Sequence, residues 1–344
     1  MPYTKLPRPE GRINLYYDLM SPPNWGIAPS NIHVFVYRDV RIALQALLQS
    51  ANTIQAQRLE AGGAALFSEH LFFRGQSDVT QRLLPTRLRG KAASPAARQR
   101  HDVRFDGKGE DPRTHVGAWF EDIEPWRSIE DSLSEISAEE LARRDVAEDG
   151  AVQRACSLEA VANLDGFRKR AAVRHYGGVP SSLLDVSTDP EVAAFFATAS
   201  SQSRAGQIGM LWGIDLNFFT DIFSIEVGSV PGGIAMRLKE TREGWGANKK
   251  MFEDYGVAPT AMELRSVELP FRRPQAQRAR FLSLSGEGGS QLPTLSELTW
   301  WSIIERRAYM CAFLHDGSKY ENPGHNISAA TLLPSDEPLA ATLQ

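Results

Sequence analysis

The chain is short of the features that identify many protein classes at once. Only two cysteines, Cys156 and Cys311, occur in 344 residues. They are far apart and have no CxxC partner, so neither a disulfide framework nor a thiolate zinc site is expected. Positive charge is not in surplus: 38 Lys and Arg stand against 42 Asp and Glu, a formal net charge of -4. That excludes the whole-chain basic excess of a constitutive nucleic-acid binder while permitting a local basic groove. No run of about 18 apolar residues is available to span a bilayer, and the opening "MPYTKLPRPEGRINLYYDLM" has no apolar stretch followed by a small-residue cleavage site. A cytoplasmic chain without membrane insertion is expected. HExxH, GxSxG, Walker and Rossmann patterns are missing, and the seven histidines show no metal-ligand spacing, so no metal is expected.

What is present is an ordinary globular composition, 42% hydrophobic and 23% charged, with enough length for a sizeable core. Residues 1–30 carry several prolines and no sustained period and are expected to form an extension that either drapes over the domain or stays loosely ordered. "HVFVY" alternates like a strand, and Asp39 is placed to cap a helix in which Val40, Leu44, Leu47 and Ala51 recur at helical spacing. The helix is expected to end before the glycines of "EAGGAA", and "HLFFRG" then reads as a buried strand whose Gly75 allows a sharp exit or the close approach of a ligand. Residues from about 90 to 150 are charged and poor in apolar side chains, an insert whose end, "SEISAEELARRDVA", reads as a capped helix and hence a helical lid. A helical stretch over about 153–176, broken near Gly166, closes on Gly177 and Gly178. "SLLDV" is a short strand, and Thr188 or Asp189 caps a helix with Pro190 at its first position. "IGMLWGIDL" and "RARFLSL" are further strands, and "TLSELTWWSIIERRAYMCAFL" reads as a helix. The fold class is α+β.

Three blocks stand apart: "FFRGQ", "RHYGGVPSSLLDVSTDPEVAAFFA" and "RPQAQRARF". Together they resemble the FRG domain, a family named for its aromatic-Arg-Gly motif, in which a block of the kind QHYG-P-TRLLDWT and a third of the kind R-Q-G-F follow. The resemblance runs over about 31–344, interrupted by the insert, and the tail "ATLLPSDEPLAATL" is similar to the closing segment of many members. Arg174 stands where the family usually has Gln, Ser181 and Ser182 replace its Thr-Arg, and Val186 replaces its Trp. Loss of that second arginine argues against a role needing two guanidinium groups at one site.

Physical reading of these blocks leaves alternatives open. Arg74, ending a buried strand beside a glycine, either presents its fork to a phosphate or pairs with a carboxylate such as Asp78 or Asp185. His175 and Tyr176 either cap a helix end or line a cleft that holds a ribose or a base. Asp185 orients either the following turn or Arg74. "RRPQAQRAR", with four arginines in nine residues, is either a solvated edge or a phosphate contact. The tryptophans, among them Trp126, Trp245, Trp300 and Trp301, are expected to fill core or hinge.

The order of "FFRG", "DVSTDPEVAAFFA" and a late strand is also similar to the arginine, Ser-Thr-Ser and glutamate motifs of toxin-type mono-ADP-ribosyltransferases. That similarity implies a split β-sheet core with flanking helices. It also implies NAD as cofactor, with Arg74 on its phosphate and Ser187 and Thr188 propping the nicotinamide pocket. Gln277 would stand at the glutamate strand with Glu268 nearby, and Glu268 and Glu305 are the candidates for the acid. Arg74, Gly75, His175, Tyr176 and Asp185 would bind the nucleotide. The expected function is a nucleotide-handling enzyme resembling an NAD-dependent ADP-ribosyltransferase, a bacterial or phage toxin or defence effector with a protein or nucleic-acid acceptor. The alternative is a non-catalytic nucleotide or nucleic-acid sensor.

Overall fold

The computed structural model describes residues 7–17, 30–60, 71–79, 81–89, 137–199, 205–218, 223–241, 263–286, 292, 297, 298, 300, 301, 304, 305 and 308–333. In chain order these give β1 (Gly11–Tyr17), β2 (Ser30–Tyr37), α1 (Val40–Glu60), β3 (Leu71–Gln76), α2 (Ala138–Ala155), α3 (Glu159–Ala162), α4 (Gly166–Tyr176), β4 (Leu184–Ser187) and α5 (Pro190–Thr198). There follow β5 (Ile208–Asp215), β6 (Phe223–Val230), β7 (Gly233–Thr241), β8 (Glu263–Val267), α6 (Arg272–Ala276), β9 (Ala279–Ser285), β10 (Tyr309–Leu314) and α7 (Ala329–Leu332).

All ten strands join one open sheet in the order β1-β2-β10-β5-β3-β4-β9-β8-β7-β6. Only the β10–β2 pair is parallel. The protein is therefore a mixed α/β fold on a mostly antiparallel sheet. Every residue of β5 is buried, as a central strand covered on both faces requires. Side-chain alternation then divides the core. Phe72, Val186, Trp212, Ile214 and Leu282 face one side and pack with Trp300, Trp301 and Ile304. Phe73, Leu211, Cys311 and Phe313 face the other, under α1 and α5. A third cluster gathers Val267 and Phe281 with Ala151, Ala155, Ala171 and Tyr176 of α2 and α4. Fully burying a large apolar side chain contributes about 1.5–3 kcal/mol, so the seven largest fully buried ones, Trp212, Trp300, Trp301, Phe72, Phe195, Phe281 and Phe313, anchor both faces.

Local signals explain the helix starts. Asp39 accepts from the N–H groups of Arg41 and Ile42 at 2.9 Å each, Asp189 accepts from Glu191 N–H at 2.9 Å with Pro190 behind it, and Ser137 accepts from Glu140 N–H at 3.1 Å.

Several expectations are corrected. Within the stretch read as lacking a sustained period, residues 11–17 form a strand paired with β2. The stretch 153–176 is three helices, the last opening at Gly166 with Asp165 as its cap. The segment read as a helix through residue 314 is helical at its described positions from 297 to 305 and then becomes β10. There Cys311 and Phe313 alternate with Ala312 across the sheet between β5 and β2. The first part of the insert, 90–136, and residues Trp126 and Trp245 lie outside the described residues.

The joint that matters for function is β3–β4. Its two strands meet through one Cα pair, Phe73↔Ser187, whereas β3 pairs with β5 from Leu71 to Gln76 and β4 with β9 from Leu184 to Ser187. The sheet opens beyond that pair. Helix α5 closes on the opening so tightly that a Cβ on Gly75 would lie 1.8 Å from the Ala193 carbonyl oxygen. The close approach that Gly75 permits is that of a helix backbone.

Candidate functional site

At the β3–β4 opening lies a cleft of about 320 Å³ whose walls include Arg74, Gly75, His175, Asp185, Ser187 and Gln277, with Val192, Ala193 and Phe196 of α5 on the apolar side. Arg74 extends from β3 and donates through Nη1 to the Asp185 backbone carbonyl and, at 2.5 Å, to Asp185 Oδ1. Arg174, from the last turn of α4, donates through Nη2 to the same Oδ1 at 3.1 Å. Both arginines are mostly buried, with side chains 12% and 15% exposed, and the Nε of each is buried without a hydrogen-bond partner. A third guanidinium, that of Arg89, donates through Nε to the Leu84 carbonyl at 2.9 Å and leaves a buried Nη2 unpartnered. Burial and then the neighbouring Arg74 and Arg174 pull the Arg89 pKa down to about 9. Burial alone would raise the Asp185 carboxyl, but Arg174 and Arg74 outweigh it and hold the group far below the usual carboxylate range. The cluster thus gathers the guanidinium groups of Arg74, Arg174 and Arg89 near the Asp185 carboxylate, with Glu305 also acting on Arg89.

Beside them, His175 has its pKa lowered to about 3, by burial first and then by Arg273 and Arg174, against the opposing pull of Asp185. It is a neutral imidazole at ordinary pH, edge-on to Tyr176 and Phe281, and its buried Nε2 has no partner. A neutral imidazole offers one donor and one acceptor, which suits a hydroxyl.

The remaining expected residues build the frame of the cleft. Ser187 Oγ donates to the Gln277 carbonyl at 2.7 Å and accepts from Asp189 N–H at 2.9 Å. Thr188 N–H donates to the Arg278 carbonyl at 3.1 Å. Gln277 Nε2 donates to the Leu332 carbonyl at 2.5 Å, tying α7 to the floor. Tyr176 is buried against Phe271, with Arg273 over its ring at 5.4 Å, and lies outside the cleft lining. The two acids do not meet Arg74 either. Glu268 is 58% exposed and paired with Arg280 at 3.1 Å. Glu305 is fully buried, held by Arg82 at 3.0 Å and by Leu83 N–H at 2.9 Å. Among the described residues lining the cleft, Asp185 is the one carboxylate.

Position 182 resolves the question of the second arginine. Ser182 lines a different cleft, of about 350 Å³, with Arg87, Asp145, Arg170 and Glu297, so an arginine there would not reach Arg74. The second guanidinium beside Asp185 comes instead from Arg174, itself one of the motif positions at which this sequence differs. The insert helix contributes indirectly: Arg144 on α2 donates through Nη1 to the carbonyls of Arg87 and Arg89 at 2.8 and 2.7 Å, fixing the turn that delivers Arg89.

A mixed α/β protein with a cleft at a sheet joint, walled in part by Arg74 and Asp185, is the class these observations define. Residues 69–206 match the family model of the FRG domain, a stretch that holds Arg74, Arg89, Arg174, His175, Asp185 and Ser187 and stops short of Gln277. No curated protein and no solved structure matches the chain.

Proposed function

We propose that the cleft binds the phosphates of a nucleotide, with Arg74 and Arg174 as its anion contacts and His175 on a ribose hydroxyl. The observation that carries this reading is the cluster at the cleft wall: Arg74 and Asp185 line the cleft, Arg174 and Arg89 stand behind them, and each of the three guanidinium groups has a buried nitrogen without a partner. Buried guanidinium nitrogens without partners are costly, and a phosphate supplies acceptor oxygens and negative charge together. Asp185 occupies the place of that anion beside Arg74 and Arg174. Val192 and Phe196 give the apolar wall a base or nicotinamide would need.

An NAD-dependent transferase reading follows if Asp185 takes a second part. Once phosphate draws Arg74 and Arg174 away, its carboxylate is the negative charge available to a cation-like ribose. The bond between nicotinamide nitrogen and ribose C1′ breaks with its electron pair leaving on nicotinamide. The acceptor's nucleophile then bonds to C1′ and gives up its proton to solvent. The sensor reading is favoured by the opposite outcome, in which Asp185 stays on its arginines and the cleft only binds. Incubation with labelled NAD separates the two. Nicotinamide release lost in Arg74→Met and Asp185→Asn supports the transferase, whereas thermal protection by NAD without release supports the sensor. The absence of both release and thermal protection would contradict the proposal.

A further inference from the structure

Residue 278 joins two cleft-lining residues, Gln277 and Ala279, and its backbone is left-handed, with φ +45°. Glycine and asparagine enter that region cheaply, whereas an arginine there carries a steric penalty. The conformation is imposed from several directions. Ser187 holds the Gln277 carbonyl, Thr188 N–H holds the Arg278 carbonyl, and the Gln277 side chain is tied to Leu332. The Ser-Thr pair and the glutamine that the sequence singles out thus act together as a clamp on residue 278. The side chain it presents is 67% exposed, with one loose ion pair to Asp189 at 3.7 Å. Neither packing nor pairing explains why an arginine occupies a position that glycine would fill at lower cost.

Arg278 is also set apart from the cluster around Arg74. Its carbonyl is bonded by Thr188, three positions along the chain from Asp185, which at the strand rise amounts to roughly 10 Å. At that backbone separation an exposed Arg278 guanidinium, outside the cleft lining itself, is placed to meet a phosphate other than the one held by Arg74 and Arg174. We infer that Arg278 is a specificity-determining residue that takes a second phosphate at the mouth of the cleft, so that the preferred ligand carries two separated phosphates. This rests on the nucleotide-phosphate reading of the cleft. The second phosphate belongs either to the same nucleotide or to its neighbour in a strand.

Calorimetric titration with three probes tests this: AMP, an adenosine bisphosphate with its second phosphate on the ribose 3′-hydroxyl, and a 5′-phosphorylated dinucleotide. The wild type is expected to bind one of the two-phosphate probes at least about fivefold tighter than AMP, the advantage of one charge-assisted contact. Arg278→Gly is expected to erase that advantage while leaving AMP affinity within about twofold, with a melting temperature equal to or above that of the wild type. Arg278→Lys retains part of the gain. A gain with the bisphosphate assigns the second phosphate to the nucleotide itself, and a gain with the dinucleotide alone assigns it to a strand. AMP binding with no gain from either probe, or a gain that survives in Arg278→Gly, overturns this inference and leaves the cleft reading standing. A melting temperature that falls in Arg278→Gly along with AMP affinity assigns the residue a structural role and also overturns it. Absence of binding by all three probes overturns both.

Discussion

The cleft beside Arg74 and the cleft beside Arg87 are close in size, about 320 and 350 Å³, and each has a mostly buried arginine paired with acid, Asp185 in the first and Asp145 and Glu297 in the second. They differ in how fully that arginine is used. Arg87 donates through Nε and Nη2 to Asp145, the latter at 3.0 Å, and through Nη1 to Glu297 at 2.9 Å. Its fork is saturated by acids from α2 and from the helical residues near 297. At Arg74 the bonds run through Nη1 alone, and buried nitrogens on Arg74, Arg89 and Arg174 lack partners. A satisfied ion network is a joint, and an unsatisfied one beside open space is a candidate binding site. The Arg87 network fastens the insert helix to the turn at 86–88 and to the helical residues near 297, whereas the guanidinium groups near Arg74 keep buried nitrogens without partners.

The contrast is open to a double dissociation. Arg87→Met strands Glu297 and Asp145 and is expected to cost about 3 kcal/mol of stability, read from the urea midpoint, with ADP affinity nearly unchanged once the protein is folded. Arg74→Met leaves Asp185 its bond from Arg174, so it is expected to cost only about 1 kcal/mol while lowering ADP affinity about tenfold. The reverse pattern, with Arg87 controlling affinity and Arg74 controlling stability, would merge the two clefts into one class. Asp185→Asn sharpens the comparison further. If the carboxylate occupies the place of a phosphate, its neutral isostere frees the arginines and ADP binds several-fold tighter at low salt, an advantage that shrinks as salt rises.

The smallest expected effect is a pair of opposed pH slopes. His175 is held down to about 3 from 6.5, so the unfolded chain takes up a proton below about 6.5 that the folded chain refuses. Stability therefore falls on acidification between those values, by at most about 1.4 kcal/mol per pH unit. Glu297 is pushed by burial from 4.5 up to about 7, with Arg87 opposing. The folded chain keeps a proton that the unfolded chain releases, and stability falls as pH rises through that window. The two contributions partly cancel between 4.5 and 6.5. His175→Gln is expected to unmask the decline with rising pH, and Glu297→Gln to steepen the loss on acidification, both read as urea midpoints across pH. Identical profiles for the two variants would remove the electrostatic distinction between the clefts.

Local chemistry made part of this legible in advance. Asp189 and Pro190 signal the start of α5, Asp39 signals α1, and the apolar run before Arg74 is β3, because each rests on contacts within a few residues. Strand β10 was obscured because its neighbours Trp300 and Trp301 extend an apolar pattern through residues whose partners, β2 and β5, lie far away in sequence. The β6–β7 hairpin turns at Pro231-Gly232, a dipeptide that marks a turn without specifying that the flanking segments pair. At the site, Arg74 and Asp185 could be paired from motif order. The contribution of Arg174 depends on the direction in which α4 points its last turn, and that of Arg89 on a turn braced from the insert helix. The functional acids sought at Glu268 and Glu305 depend on burial and pairing that sequence does not display.

The most direct test is calorimetric titration of ADP into the wild-type protein and Arg74→Met side by side at low salt. The cleft account predicts saturable one-to-one binding to the wild type and about tenfold weaker binding to the variant. Equal affinity in the two proteins, or no saturable binding to the wild type, would contradict it.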